Sequence, residues 1–415
     1  MRILFLSHGY PPYALGGLTL RCQEVAEALR QRGHTIHVLT SRYGLDGVAV
    51  HEEGVTRALH FQARMDYYRP LEFFLTRPRK ERENLAILRE TIDSFAPDIV
   101  FVWGLWNLSR ALPYWAERWM GPERVAYAIA DYWLIEPDIH HAYWRLPARR
   151  PLVEAAKAAI RPMVLRKLEE ERRSQALQLG HVTCCSEYTA NKLAAAGALP
   201  HGARVIYNGI DPQPFMVRPR PKRSGAPLRL LYFGGLSDHK GVHTAVEALA
   251  LLKDRGSAVG LDLALVGDGH PDYVAHLRML AAQHGVLGQI VFHGSVSRDE
   301  IPALLARHDL FLFTSIWEEP FGRTIVEAMA AGLAVIGSEV GGSIEIMRDG
   351  ANALTYPAGD ASALADRIVQ LRESPELHER IVKAGRKTVL ERFTLDRMVD
   401  EIEEWLSEIV SGARS

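Results

Sequence analysis

The sequence has few cysteines, no long apolar run and almost no net charge. Its three cysteines are Cys22, Cys184 and Cys185, and the formal net charge is −1. Because two of the cysteines are adjacent, they form no disulfide framework, which favours a reducing cytoplasm. No stretch approaches the ~20 consecutive apolar residues that a membrane-spanning helix needs. No spacing of Cys and His indicates a metal site, and none is expected.

The first residues also lack the features of a secretion signal. The apolar stretch that begins at Ile3 is short and ends before Pro11 and Pro12. A signal peptide needs a longer apolar region. This stretch is typical of a first buried β-strand.

The chain is long enough to form two hydrophobic cores, because 415 residues exceed the size of one ordinary domain. Strand-like and helix-like segments alternate in both halves, which predicts α/β domains with parallel sheets. A Pro-rich basic stretch near the middle predicts a linker. The predicted parts are a first domain at 1–211, a linker at 212–226, a second domain at 227–393 and a terminal helix at 394–415.

The most informative segment contains two glutamates, Glu319 and Glu327, with a Phe-Gly pair after the first. Helix-forming residues follow as far as Gly332, so a helix is predicted to begin between the two carboxylates. Free N–H groups at a helix start bind anions, and carboxylates accept hydrogen bonds from sugar hydroxyls. Two solvated glutamates are the alternative, which is harder to sustain for Glu327 in its apolar run.

These motifs resemble the signature of the family 4 retaining glycosyltransferases. The further matching motifs, in the family's order, are Gly16-Gly17, Val205–Asp211, Lys240-Gly241, Val266–Gly269, and Gly341-Gly342 with Glu345. The resemblance implies the GT-B fold, two Rossmann-like parallel-sheet domains facing an interdomain cleft, with a terminal helix that crosses back to the first domain. It also implies transfer of a sugar with retention at the anomeric carbon, without a metal or another cofactor.

The resemblance assigns roles to individual residues of this sequence. Glu319 would contact the donor sugar, Glu327 the ribose, and Lys240 the diphosphate. Glu319, Lys240 and Asp131 are therefore the predicted catalytic residues. The predicted donor-binding residues are Gly16, Gly17, Lys240, Gly267, Asp268, His293, Glu319, Phe321, Gly322, Arg323, Thr324 and Glu327.

Two positions depart from the family's pattern. The family commonly has an Arg where this chain has Gly235, so Arg323 is predicted to supply the missing cation; Arg323 could instead face solvent or pair with Glu318 or Glu319. Many members have a His where this chain has Ala130. The adjacent Asp131 could orient an acceptor hydroxyl or act as a base, or could merely cap a helix.

Basic and aromatic residues are interleaved in residues 64–82, and residues 149–173 form a basic, helix-compatible stretch. Residues 1–205 carry 27 Lys and Arg against 22 Asp and Glu, whereas the remainder carries 22 against 28. Such segments suit a peripheral contact with the inner membrane face or a lipid-linked acceptor. They also suit a lid packed on its own domain.

The expected activity is transfer of a hexose from a UDP- or GDP-linked donor to a hydroxyl of a glycan, a lipid or a small molecule. The expected role is in the biosynthesis of polysaccharides, glycolipids or glycosylated metabolites, with no nucleic-acid partner. One alternative is a sugar-nucleotide epimerase or a phosphorylase on the same fold. Another is a non-catalytic protein that binds sugar nucleotides, which Gly235 and Ala130 would favour.

Overall fold

Strands and helices alternate along the chain and form two separate sheets. A computed structural model describes residues 1–13, 16–45, 50–65, 67–216 and 228–413. Unit 1 comprises Met1–Cys185, Thr189–Ile206 and Val399–Ser415, and unit 2 comprises Ser186–Tyr188 and Tyr207–Met398. The main division thus falls at 206/207, five residues before the predicted end of the first domain. Residues 217–226 of the predicted linker lie outside the described residues.

Unit 1 is built on an eight-stranded sheet in the order β3-β4-β2-β1-β5-β6-β7-β8. All neighbours pair in parallel except β3 and β4, which pair antiparallel at one edge. The central strands are almost wholly buried because helices cover both faces of a parallel sheet. The strands are β1 Arg2–Ser7, β2 Thr35–Ser41, β3 Val50–Glu52, β4 Val55–Leu59, β5 Ile99–Gly104, β6 Val125–Ile129, β7 His181–Cys184 and β8 Arg204–Val205.

Three helices of unit 1 contain residues of the two basic segments. Residues 64–82 contribute to α2 and α3, and residues 149–173 form most of α6. Buried Phe73, Trp144, Val164 and Leu168 pack α2, α5 and α6 against one another. The helices are α1 Gly17–Gln31, α2 Pro70–Leu75, α3 Arg77–Phe95, α4 Ala111–Met120, α5 Ile139–Arg145, α6 Pro151–Ser174 and α7 Glu187–Ala195.

Unit 2 is built on a six-stranded parallel sheet in the order β11-β10-β9-β12-β13-β14. The strands are β9 Leu228–Phe233, β10 Leu261–Val266, β11 Ile290–His293, β12 Leu310–Phe313, β13 Ala334–Ser338 and β14 Leu354–Tyr356. The helices are α8 Val242–Asp254, α9 Pro271–Gln283, α10 Ile301–Leu305, α11 Arg323–Ala331, α12 Ala361–Glu373 and α13 Pro375–Arg392. Leucine-rich faces of α8, α9 and α12 pack on this sheet and form its main core.

The terminal helix, α14, spans Leu395–Gly412, and its residues from Val399 onward belong to unit 1. There it is held by charge and by aromatic packing. Glu403 accepts from Arg32 and contacts His34, both at 2.7 Å. The ring of Trp405 packs edge-on against Phe101 at 6.0 Å.

The first strand predicted from the sequence, in the apolar stretch that begins at Ile3, occurs as β1, because a buried parallel strand is a continuous apolar run. The antiparallel pair β3 and β4 was not predicted. Across the described ranges, no helix combines the length and the apolar composition that crossing a membrane requires.

Candidate functional site

The predicted donor-binding residues of unit 2 lie at one edge of its sheet. Lys240 follows β9, Asp268 follows β10, His293 ends β11, and Glu319 follows β12. The carboxyl ends of parallel strands all meet at the same edge, which is where ligands bind in open α/β sheets. The topology therefore brings together residues that are far apart in sequence.

Backbone hydrogen bonds join these loops into one surface. The amide of Leu236 donates to the carbonyl of Asp268 at 2.8 Å, and the amide of Gly267 donates to Gly294 at 3.2 Å. On the other side, the amide of Ile316 donates to the carbonyl of His239 at 3.0 Å. The loops are thus held by neighbouring strands, so they form a preorganised base for a ligand.

Helix α11 begins at Arg323, between the two glutamates as predicted. Gly322 caps it with a φ of 116°, a left-handed conformation that a side chain would strain. The helix ends at Gly332, which also has a positive φ of 83°. The amide of Ile325 donates to the carbonyl of Gly322 at 3.1 Å, and the positive end of the helix dipole lies here, so the amino end of α11 can receive an anion.

Glu319 is buried and paired, so the solvated alternative is wrong for this residue. Its carboxylate is 11% exposed and forms an ion pair with the ammonium of Lys240. The hydroxyl of Ser315 donates to the same carboxylate oxygen at 2.9 Å. The contacted oxygen is Oε1 in both cases, and neither of these bonds uses Oε2.

Glu327 is also buried, with its side chain only 1% exposed. The guanidinium groups of Arg298 and Arg323 lie 2.5 and 2.7 Å from its Oε1. This arrangement is what burial of a charge requires, since an unpaired carboxylate would be strongly destabilised. Arg323 therefore pairs with Glu327, a partner that the sequence analysis did not name for it.

The loop that carries Glu319 is fixed by a second loop, which follows β13. The amide of Gly342 donates to the carbonyl of Glu319 at 2.7 Å. A Cβ at Gly341 would lie 2.2 Å from that carbonyl oxygen, and its φ is 52°. Only glycine allows this close backbone approach. The glycine pair seen in the sequence therefore positions Glu319.

The remaining donor-binding candidates of unit 2 differ in their burial and in their contacts. The Asp268 carboxylate accepts from the hydroxyl and, at 3.2 Å, from the amide of Ser295, so it joins two loops. His293 is exposed, and Thr324 is half-buried in the first turn of α11. The Phe321 side chain is buried, and its ring packs edge-on against that of Phe393 with the centroids 5.6 Å apart.

In unit 1, Gly16 and Gly17 form the start of α1, directly after the loop that follows β1. His8, at the end of β1, is buried, and burial lowers its pKa to about 4. It is therefore a neutral imidazole at pH 7. His8 thus lies at the carboxyl end of the first strand, and α1 begins at Gly17.

Asp131 follows β6, at the same edge of the unit 1 sheet. Burial raises its pKa to about 6 despite a 3.4 Å hydrogen bond from the amide of Trp133. It does not cap a helix, which corrects the alternative considered for it. The cap of α5 is Asp138, which accepts from the amides of His140 and His141. Asp131 is thus a half-buried carboxylate with an affinity for protons suited to a base.

Sequence reasoning missed Arg298 and Ser315. Arg298 lies in a short turn after β11, and no motif marks it as a partner of Glu327. Ser315 directly follows β12 and precedes the motif, so position alone could have suggested it. Within the described parts of the chain, no group of three or more His, Cys, Asp or Glu could hold a metal ion.

Two family models match the sequence. The family model described as "Glycosyltransferase Family 4" matches residues 15–214. The model described as "Glycosyl transferases group 1" matches residues 217–388. This chain belongs to the family 4 glycosyltransferases. It is a glycosyltransferase enzyme with the GT-B fold.

Two curated relatives resemble this glycosyltransferase over different lengths of the chain. It is 27% identical to the glycogen synthase of Mycobacterium tuberculosis, over 95% of this chain and 91% of that protein. It is 30% identical to the N-acetyl-α-D-glucosaminyl L-malate synthase of Bacillus anthracis, over 48% of this chain and 52% of that protein.

Solved structures support the same fold. HepE of Anabaena, determined in complex with UDP, has a TM-score of 0.69 at 21% identity, covering 98% of this chain and 100% of that chain. The sucrose-phosphate synthase of Thermosynechococcus elongatus has a TM-score of 0.73 at 19% identity, covering 99% of each chain. At these identities the likeness concerns the fold.

Proposed function

We propose that this glycosyltransferase moves a sugar from a UDP-linked donor to an acceptor hydroxyl, with retention at the anomeric carbon and without a metal ion. The observation that carries the proposal is the Lys240–Glu319 ion pair beside the amino end of α11, with buried Glu327 one turn into that helix. A cation, a helix start and two carboxylates suit a diphosphate between a sugar and a ribose.

Lys240 and the first amides of α11 would stabilise the departing diphosphate, where negative charge grows in the transition state. Glu319 would hold a hydroxyl of the donor sugar. Its pairing with Lys240 and Ser315 suits positioning better than nucleophilic attack. The acceptor oxygen would therefore attack from the face that the leaving group departs from. Asp131 is proposed to orient the acceptor hydroxyl and to receive its proton.

The names of relatives support the choice of donor and role. HepE of Anabaena was determined with UDP and with UDP-glucose. Curated relatives include a lipopolysaccharide core glycosyltransferase of Rhizobium meliloti and a 2-deoxystreptamine glucosyltransferase of Streptomyces kanamyceticus. We propose a UDP-hexose donor, and a role in the synthesis of a glycan, a glycolipid or a glycosylated metabolite.

A panel of UDP-, GDP-, ADP- and dTDP-linked sugars tests the donor by thermal shift, because a bound ligand raises the unfolding temperature. UDP-sugars are expected to raise the unfolding temperature most. A larger rise with GDP-sugars would show that the base of the donor is guanine and not uracil. Donor hydrolysis then separates an enzyme from a binding protein. NMR of the product bond reports retention, and the same assay with EDTA reports metal dependence. A requirement for inorganic phosphate would indicate the phosphorylase alternative.

A peripheral contact with anionic membranes is a second proposal, for the helical segments of unit 1. Leu71 and Leu75 on α2 are 71% and 73% exposed, and Leu152 on α6 is 87% exposed. Arg149 and Arg150 directly precede α6 and are exposed. Apolar side chains beside basic ones suit a negatively charged lipid surface.

Sedimentation with vesicles tests this contact. Binding is expected to vesicles that contain phosphatidylglycerol and not to pure phosphatidylcholine. Leu152→Gln is expected to weaken it, whereas Val259→Gln in unit 2, a residue that is also 87% exposed, is the matched control. The membrane contact is refuted if wild-type protein binds both vesicle types equally, or if the two substitutions have equal effects. These segments would then be interpreted as a lid packed on their own domain.

A further inference from the structure

Unit 1 contains a cavity of about 390 Å³ whose lining includes none of the residues proposed for donor binding or catalysis. It lies where Arg42 follows β2 and His60 follows β4, at the same edge of the sheet as His8 and Asp131. The side chains that the argument uses are Arg42, Tyr43, His60, Phe61, Arg64 and Lys80.

The cavity is cationic. Among its described lining residues, three are Arg or Lys and none is Asp or Glu. Arg42 is held in place, because its Nε and Nη2 donate to the carbonyl of Ala58 at 3.0 and 2.7 Å. Lys80 contacts Glu72 at 3.4 Å from outside the lining. Clustered cations with low-dielectric walls raise the local concentration of anions.

His60 also lines the cavity, and its Nε2 lies 2.8 Å from the Oε2 of Glu83. Burial, and after it the charge of Arg42, lowers the pKa of His60 in spite of that carboxylate. The field of the neighbouring Arg thus reaches the cavity wall. A second positive charge at His60 is disfavoured, whereas a bound anion would be stabilised.

The same cavity has an aromatic wall. The rings of Tyr43 and Phe61 lie 5.9 Å apart at an angle of 31°. Phe61 packs edge-on against Trp106 at 6.1 Å, and Trp106 in turn packs against His8 at 6.1 Å. Aromatic faces with a few polar groups are typical of sites for small molecules that have an apolar face, such as sugar rings. The contacts run continuously from the end of β1 to the cavity.

We propose that this cavity is the acceptor subsite and takes a sugar that carries an anionic group, either a phosphate or a carboxylate. The sugar ring packs on Tyr43 and Phe61, and the anion is bound by Arg42, Arg64 and Lys80. The assignment rests on the proposed transfer to an acceptor hydroxyl, because only then does a second sugar site have a role.

Calorimetric titration with glucose 6-phosphate, glucuronate, methyl glucoside and inorganic phosphate tests the proposal without any nucleotide. At least one anionic sugar is expected to bind roughly tenfold or more tightly than methyl glucoside, because hydrogen bonds to charged groups are stronger than those between neutral groups. The better of glucose 6-phosphate and glucuronate identifies the anionic group, and either supports the proposal. Inorganic phosphate is expected to bind more weakly than the anionic sugar.

Arg64→Gln and Lys80→Gln are each expected to weaken that binding roughly tenfold. Arg89→Gln, on the same helix as Lys80 but outside the cavity lining, makes the same charge change and is expected to have no effect. Tyr43→Leu is expected to weaken binding of the anionic sugar and to leave binding of inorganic phosphate unchanged. UDP binding, measured in parallel, reports on unit 2 in every variant.

The proposal is overturned if wild-type protein that unfolds cooperatively binds neither anionic sugar, or binds methyl glucoside equally well. It is also overturned if inorganic phosphate binds as tightly as the sugar, or if Arg64→Gln and Lys80→Gln bind like wild type. If wild-type protein does not bind UDP, the proposed donor is refuted, whereas the measurement with anionic sugars is unaffected.

Discussion

The Nη2 of Arg298 lies 2.5 Å from the Oε1 of Glu327, a carboxylate that is only 1% exposed. Arg323 contacts the same oxygen at 2.7 Å. The carboxylate proposed to bind the ribose is thus held by two cations on one oxygen. The two ion pairs offset the unfavourable burial of the Glu327 carboxylate, and they hold this carboxylate in one orientation on α11.

Glu327→Ala is therefore expected to have two effects. UDP binding should weaken by roughly 1–3 kcal/mol, the range for a hydrogen bond to a charged group. The free energy of unfolding should also fall, by about 3 kcal/mol, because two guanidinium groups lose a buried partner. Calorimetry with UDP and urea unfolding measure the two effects. The exposed Glu379→Ala on α13 is the control, and unchanged UDP affinity in folded Glu327→Ala protein would refute the ribose role.

Lys240→Ala is expected to lower turnover more than it lowers stability. The diphosphate gains negative charge as the sugar leaves, so the Lys240 contact strengthens in the transition state. Lys240→Arg need not restore turnover, because the guanidinium is larger and planar. Initial rates of sugar transfer and thermal unfolding separate the effects. Lys253→Ala, a lysine of unit 2 bonded to the carbonyl of Gly285, is the control. Wild-type turnover by Lys240→Ala would remove this residue from the mechanism.

Asp131→Asn is expected to change stability and activity in opposite directions. The raised pKa of Asp131 means that the folded state binds its proton more tightly, so this stability is present below pH 4 and lost as pH rises to about 6. Above pH 6 the variant should be more stable, by about 1–3 kcal/mol. Turnover should fall by roughly a hundredfold or more if Asp131 acts as a base.

Urea unfolding between pH 4 and pH 8 measures the stability change. Asp138→Asn provides the contrast, because hydrogen bonds from His141 outweigh burial and lower the pKa of Asp138 to about 2. Its contribution is present above pH 4 and is lost as pH falls towards 2. A more stable Asp131→Asn protein with wild-type turnover would show that Asp131 does not take the proton.

Gly235→Arg tests whether Arg323 supplies the cation that the family commonly has at that position. A Cβ at Gly235 would meet no heavy atom within 4 Å, so a side chain fits there. Arg323→Ala is expected to weaken UDP-sugar binding, and adding Gly235→Arg is expected to restore it. Calorimetry on both single variants and the pair measures this coupling. If Arg323→Ala alone leaves affinity and turnover intact, Arg323 serves only to pair Glu327.

Gly341→Ala is expected to disturb the Glu319 loop, because the new methyl group would lie 2.2 Å from the Glu319 carbonyl oxygen. Gly350→Ala is the matched control, since Gly350 also has a positive φ, 68°, but no heavy atom within 4 Å. The control should cost about 1 kcal/mol of stability. Gly341→Ala should cost about 1–3 kcal/mol more and should weaken donor binding. Equal losses would mean that the loop adapts without effect on Glu319.

The sequence by itself determined the parallel α/β class and most strand positions. A strand covered on both faces is a continuous apolar run, such as Leu310–Phe313, and that pattern needs no partner to be recognised. The start of α11 could also be predicted, because Gly322 and the alanines after Glu327 are local signals. The short strands β3 and β4 lack such a run, and their pairing depends on the edge of the sheet.

Only the tertiary structure decided which charges meet. Lys240 and Glu319 follow different strands, and they pair because β9 and β12 are neighbours in the sheet. Arg298 precedes α10, and it reaches Glu327 because α10 packs against α11, although β11 and β12 are not neighbours in the sheet. The cations of the unit 1 cavity come from the ends of two strands and from a helix. Local sequence fixes backbone conformation, whereas an ion pair or a cavity depends on the packing of distant segments, which a local pattern does not encode.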